Sequence, residues 1–380
     1  MYGVADYGSM ITDEVRMSAY VAALEKSVKP DSVVVDIGTG TGIFAMLACR
    51  FGARRVYAIE PNDAIQTARE MAAANGLADR IEFIEDISTR VSLPEKADVI
   101  ISDLRGALPL YDHNLASLKD ARERLLAPGG VLIPERDTLW AALVSAPDLY
   151  DSYVKAWERY SYDFNAQAAR RVTINSWGAG RAKPEQLLTS PQIWTEIDYT
   201  NITDLNANGA LNWTIEQAAT AHGFCLWFDT VLTEGVGFSN APGGGAKVYG
   251  SAFFPLNDPV ELQSQDRVAI RLRANLVGDD YIWSWNTRVE DRDAKLKADF
   301  KQSTFFGAAI SPKRLRQQAD NYIPRLNEDG KLDQYIFSLM NGERTQGEIA
   351  RHLAELHPRR FADWRAALTY LAALSGKYSE

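Results

Sequence analysis

The chain has 380 residues, a formal net charge of −9 and 46% hydrophobic residues, values that exclude wholesale disorder and predict two or three domains at roughly 100–200 residues each. No apolar run approaches the ~20 residues needed to cross a bilayer, and the start, MYGVADYGSMITDEVR, lacks a basic-then-apolar signal, so a cytoplasmic protein without a membrane partner is expected. An acidic chain is a poor general binder of nucleic acid and suits a cationic peptide, protein or small molecule.

Residues 1–134 alternate short β-branched runs with helical stretches. VVVDIG (33–38), RVYAIE (55–60), IEFIED (81–86) and ADVIISD (97–103) read as strands, with GIFAMLACRFGA and AIQTAREMAAANGL as helices between them. The alternation predicts an α/β fold with a doubly wound, mostly parallel sheet. LAPGG (126–130) is a turn signal before a last strand, VLIP. Residues 135–290 change texture to many short alternating runs rich in Trp, Thr and Asn, which predict a β-barrel or sandwich. Within them, about 150–183 is helical and then glycine-rich, a segment expected to project. Trp283 and Trp285 are read as facing opposite sides of one strand, and the remaining aromatics as core. From 291 the pattern turns helical and polar to the end, with Thr345 and Glu348 spaced as a capping box. Cys49 and Cys225 lie in apolar contexts and read as buried, inert thiols in a reducing compartment. The four histidines have no paired spacing, so no metal site is expected.

The strongest local signal is VVVDIGTGTG. A strand runs into Asp36, followed by Gly38, Gly40 and Gly42 at alternate positions and then a helix. Glycines there let the backbone turn sharply and lie close against a ligand at the helix start. A dinucleotide fingerprint would require a third glycine where Ile43 stands. Glu60 ends the next strand, where a carboxylate can accept hydrogen bonds from two ribose hydroxyls; that placement indicates a nucleoside without saying which. The plain alternative is that Asp36 and Glu60 only cap their loops.

Acid-x-Gly-x-Gly-x-Gly resembles the first motif of class I S-adenosylmethionine-dependent methyltransferases. MITDEVR, with Met10, Asp13 and Arg16, resembles the Met-x-x-Asp-x-x-Arg of protein arginine methyltransferases. The order of elements resembles that family over about 290 residues, with the chain as a divergent member of bacterial type. The resemblance implies a Rossmann-like methyltransferase sheet (1–134), a β-barrel (135–290) with a helical dimerisation arm at about 150–183, and a small C-terminal helical module (291–380). It implies S-adenosylmethionine as cofactor and S-adenosylhomocysteine as product. Asp36, Gly38, Gly40, Gly42 and Glu60 inherit the nucleoside, Met10 and Arg16 the methionyl end with its carboxylate, and Asp86 and Ser88 the surroundings of the adenine. A homodimer through the arm is implied as well.

The departures from the family fall on the acceptor side. The family has two glutamates nine residues apart within Ser-Glu-Trp-Met-Gly…Tyr-Glu; here the loop is SDLRGALPLYD, with Asp103 and Asp112 in the acidic positions. Paired carboxylates suit a guanidinium, which stays cationic and makes forked hydrogen bonds. Aspartate shortens the reach by about one C–C bond, ~1.5 Å, enough to matter in a near-attack geometry. Arg105 is new in the loop. It reads as neutralising an aspartate, as binding an acidic group of the acceptor, or as a solvated loop residue. The Thr-His-Trp segment reads Lys247-Val248-Tyr249, without the histidine, and His113 is the candidate substitute as a proton acceptor or else a solvated residue.

SLMNGERTQGEIARHL resembles the helical part of winged-helix-like peptide-binding domains of the PqqD type, with a lid or dimer-stabilising tail as the other reading. The expected function is N-methyl transfer to a guanidino or other cationic nitrogen. The alternatives are a small-molecule amine or hydroxyl methyltransferase and a non-catalytic cofactor-binding regulator.

Overall fold

The computed structural model describes residues 3–159, 162–245 and 248–379, which form two compact units, Met1–Ala308 and Ala309–Glu380. Lys247, and Tyr160 and Ser161 of the expected arm, lie outside the described residues.

The first unit begins with helices α1 (Val4–Ile11) and α2 (Glu14–Ser27). Strands β1 (Val33–Ile37), β2 (Arg55–Ile59), β3 (Ile81–Ile84), β4 (Ala97–Ser102) and β5 (Leu126–Ile133) follow, interleaved with α3 (Ile43–Arg50), α4 (Ala64–Ala74) and α5 (Asn114–Arg124). The strands pair in parallel in the order β3-β2-β1-β4-β5. All five residues of β1 are buried, because helices cover both faces of a parallel sheet. Each such Val or Ile withdrawn from water contributes about 1.5–3 kcal/mol before entropy is counted. The order reverses between β1 and β4, so a crevice opens at their carboxyl ends, where open α/β sheets take their ligands.

After β5 the chain enters β6 (Arg136–Val144) and then a helical excursion: α6 (Pro147–Tyr150), a π-helical turn (Asp151–Lys155), α7 (Ala156–Arg159) and α8 (Gln167–Ile174). Its base packs Tyr150, Val154 and Ile174 against Cys225 and Phe253. Strands β7 (Gly178–Gly180), β8 (Gln192–Asp198), β9 (Ala207–Thr214), β10 (Ala219–Thr233), β11 (Val236–Ser239), β12 (Ser251–Leu262), β13 (Arg267–Val277), β14 (Asp280–Glu290) and β15 (Leu296–Ser303) complete the unit, with α9 (Thr304–Gly307). They form two antiparallel sheets, β7-β12-β10-β6-β8 with β11 on β10, and β15-β14-β13-β9. The sheets meet through side chains: Trp283 and Trp285 both pack against Phe254, at 5.4 and 5.2 Å between ring centroids. The two tryptophans therefore do not face opposite ways; residues two apart on a strand share a face.

The helical module was expected from 291, yet β15 pairs with β14 and the unit runs on to Ala308. LKADFKQS is polar on its exposed side, which hides a strand from hydropathy. Both cysteines are buried, and burial pushes the Cys225 thiol up to about 12.

The second unit contains α10 (Pro312–Gln318), α11 (Glu328–Leu339), α12 (Gln346–Leu356) and α13 (Trp364–Tyr378). Leu332, Ile336, Ile349, Leu353, Phe361 and Leu371 form its core. Its capping box is made: Thr345 Oγ1 accepts from the Glu348 amide at 3.3 Å, and Glu348 Oε2 accepts from the Thr345 amide at 2.8 Å. Among the described residues no helix is long and apolar enough to cross a membrane.

Candidate functional site

The site grows from the β1–β4 crevice. Gly38, Gly40 and Gly42 all have positive φ (73°, 54° and 79°), so the loop after β1 coils through conformations that disfavour a side chain. Space is restricted as well. A Cβ on Gly38 would run into Leu104, and one on Gly40 into the ring of Tyr7, which α1 lays over the loop. Asp36 clasps this loop to the following helix: its Oδ2 accepts from Thr39 Oγ1 at 2.5 Å and from the Ala45 amide at 3.0 Å. Its Oδ1 is buried and has no partner among the described residues, and the same holds for Ser102 Oγ, in the β4 residue beside Ile37 of β1. Burial pushes the Asp36 carboxyl up to about 7, against the pull of its two hydrogen bonds.

Glu60, also buried, reaches back into the same loop. Its Oε2 accepts from the Gly40 amide at 3.0 Å, and its Oε1 accepts from the amide and side chain of Asn62 at 3.1 and 2.7 Å. Both carboxylates thus do brace loops, as their plainer reading held, while Glu60 retains lone pairs for an added donor. Ser88 is buried in a short 3₁₀ turn after β3, and Asp86 is part-exposed, with Oδ1 accepting from the Ile87 amide at 2.7 Å.

Arg16, on the first turn of α2, links this cradle to the acceptor loop. Asp13 caps the helix, its Oδ1 accepting from the Arg16 amide at 3.3 Å and its Oδ2 from the Val248 amide at 2.9 Å. That backbone amide is what the segment lacking the histidine supplies to α2. The Arg16 guanidinium lies 5.2 and 5.3 Å from the rings of Tyr20 and Phe44, and its Nη1 donates to the Met10 carbonyl at 3.2 Å. Its Nε and Nη2 pair with Asp103 Oδ2 at 2.7 and 2.6 Å. The residue expected at the cofactor's carboxylate is therefore joined directly to the first expected acceptor acid.

Both oxygens of Asp103 have partners. Tyr249 Oη donates to its Oδ2 at 2.5 Å, and Arg105 Nε donates to its Oδ1 at 3.2 Å. Burial opposes its ionisation, but Arg16 and Arg105 outweigh burial and hold the carboxyl below its ordinary range. Arg105 is buried rather than solvated. Its Nη1 donates to Asp137 Oδ1 and to Thr230 Oγ1, both at 2.8 Å, and its Nη2 to Tyr20 Oη. Phe228, Phe238 and Tyr249 lie 5.0, 5.6 and 5.8 Å from the guanidinium carbon. Burial alone would favour a neutral Arg105, but Asp137 foremost keeps it charged.

The structure does not bring Asp112 into this cluster. Asp112 has φ 45°, its side chain is 58% exposed, and its Oδ1 lies 3.4 Å from Nε2 of the half-exposed His113, which precedes α5. Tyr20, Asp137, Thr230 and Tyr249 escaped the sequence reading as site residues. Only Asp137 left a signal: in RDTLWAALV the buried positions alternate from Asp137 through Leu139 and Ala141, so an acid stands in the inward register.

The family described as ribosomal protein L11 methyltransferase (PrmA) matches residues 17–134, and the arginine methyltransferase oligomerization subdomain matches residues 135–289. A probable protein arginine N-methyltransferase 6 of Arabidopsis thaliana is 34% identical over 234 residues, 60% of this chain and 54% of the relative, so the chain spans about half that relative's length. A protein arginine N-methyltransferase PRMT10 of Oryza sativa subsp. japonica is 30% identical over 298 residues, 69% of this chain and 78% of the relative. Among solved structures, the Trypanosoma brucei PRMT1 enzyme–prozyme heterotetrameric complex with AdoHcy superposes with a TM-score of 0.71 at 22% identity, covering 80% of this chain and 98% of that one. That likeness establishes the shared fold.

Proposed function

The chain belongs to the protein arginine methyltransferase family, and we propose that it transfers a methyl group from S-adenosylmethionine to a guanidino or similar cationic nitrogen of a peptide or protein. The observation that carries the reading is the convergence of the positive-φ glycine loop, Glu60 and Arg16 on one crevice. Residues 1–134 supply that cradle and 135–290 the acceptor wall, with the helical module as an accessory.

The residues fit the cofactor. The positive-φ turn at Gly38 and Gly40 coils the loop at the end of β1, and Glu60 suits two ribose hydroxyls. The partnerless buried Asp36 Oδ1 and Ser102 Oγ mark polar capacity at the same strand ends. Arg16 has five N–H groups; Nε faces Asp103 and Tyr249, Nη1 faces Met10 and Met17, and Nη2 faces Asp103 once, which by count leaves an Nη2 hydrogen for a carboxylate. When bound, the cofactor supplies an electrophilic methyl on sulfur. With it bound, the acceptor nitrogen's lone pair would take the methyl, the C–S electron pair would stay on sulfur, and the proton lost from the nitrogen would pass to solvent.

The chain's own part is orientation and electrostatics. Asp103, just past the end of β4, is ionised and held by Arg16 and Tyr249, so its negative charge is fixed where positive charge on an acceptor would need it. Trp157, Tyr162 and Phe164 are exposed in the excursion between β6 and β7, inside the stretch matched by the oligomerization subdomain, which supports docking of a second copy there.

The test uses the purified full chain, isotope-labelled cofactor and arginine-containing peptides. Label is expected on guanidino nitrogens by mass spectrometry, with Glu60→Gln lowering incorporation about tenfold or more, equivalent to losing ~1.4 kcal/mol of binding. Equal incorporation by wild type and Glu60→Gln, or label on no nitrogen, would contradict the reading.

A further inference from the structure

The Arg105 guanidinium sits where recognition of a guanidinium is expected. Its side chain is 1% exposed. It forks between two carboxylates, Asp103 at 3.2 Å and Asp137 at 2.8 Å, takes a third acceptor in Thr230 at 2.8 Å, and is walled by Phe228, Phe238 and Tyr249. Planar forked pairing with acids and stacking on aromatic faces are the two devices by which proteins hold this group. The cage shares a wall with the cofactor loop: Leu104, the preceding residue, lies against Gly38, and Tyr20, which binds Arg105, packs on Phe44 of α3 at 4.7 Å.

We infer that Arg105 is an internal guanidinium occupying the acceptor-side cage at Asp103, so that a substrate guanidinium has to displace it before methyl transfer; the inference rests on the methyltransferase reading above. The charge count gives the reason. Arg16 and Arg105 already balance Asp103 and Asp137, so another buried cation would lack a counter-charge. Both oxygens of Asp103 are already engaged: Oδ2 serves Arg16 and Tyr249, and Oδ1 serves Arg105. Arg105 thereby sets which acceptors enter and keeps basal turnover on arginine low.

The experiment compares wild type with Arg105→Met in the full chain. A second variant, Arg105→Met with Asp137→Asn, removes one positive and one negative buried group together and serves if the single change does not fold. Folding is read by circular dichroism and S-adenosylhomocysteine affinity by calorimetry. Expected are an affinity within about threefold of wild type and a kcat/KM on arginine peptides raised about tenfold or more. Millimolar guanidinium chloride should compete with peptide in Arg105→Met and not in wild type, a readout that a merely structural arginine would not move. A folded variant that binds S-adenosylhomocysteine and methylates arginine peptides no faster than wild type overturns the inference. Failure of the cofactor reading is separately visible as wild type that does not bind S-adenosylhomocysteine, and it would remove this inference too.

Discussion

Asp36 holds an unusual position for a carboxylate, buried beside an unpartnered oxygen of its own. Its pKa of about 7 in the fold exceeds the ordinary 3.8, so between those values the folded state binds more protons than the unfolded one. Stability then falls as pH rises through that window, the reverse of a salt-bridged aspartate. Asp36→Asn is expected to remove this dependence. The melting temperature of wild type relative to the variant should fall from pH 5 to pH 8, by a destabilisation on the order of a few kcal/mol. A pH-independent difference would show that Asp36 is not the titrating group. At the same scale, the sequence offered three roles for Arg105, and burial selects the first, neutralisation of an aspartate. The choice was not legible because its partners Tyr20, Asp137, Thr230 and Tyr249 lie far apart in the chain, and only folding assembles them.

At the scale of elements, the glycine loop was legible because its chemistry is local. Three alternate glycines between a strand and a helix announce positive φ, and all three have it. What could not be read was α1 lying over that loop, with Tyr7 filling the space a Gly40 side chain would need. Gly40→Ala is therefore expected to act twice, through about 1–2 kcal/mol of left-handed strain and through a displaced Tyr7. S-Adenosylhomocysteine affinity should drop about tenfold or more by titration, with the Thr345-capped helices of the second unit unaffected. Unchanged affinity would mean that the ligand does not lie along this loop. The acceptor loop was half legible. Its two acids were found at the right spacing, but the positive φ at Asp112 turns one of them to solvent, and spacing alone carries no information on φ.

Over the whole molecule, alternation of periods predicted the sheet, the β-rich part and the helical end in the right order, because hydropathy reports which face is buried. It missed β15, whose outward residues are polar, and with it the division after Ala308. Pairing within two separate sheets depends on long-range register that no local pattern encodes. The first unit joins the parallel sheet and both antiparallel sheets through one continuous core, so the cradle after β1 and the cage residues on β6, β10 and β11 form one body. S-Adenosylmethionine is expected to bind this body at Glu60 and the glycine loop. Calorimetric titration of the full chain with S-adenosylhomocysteine is the deciding measurement. Saturable binding at one site per chain, weakened about tenfold or more by Glu60→Gln, is the predicted result; no saturable heat with wild type, or an affinity that Glu60→Gln leaves unchanged, would contradict it.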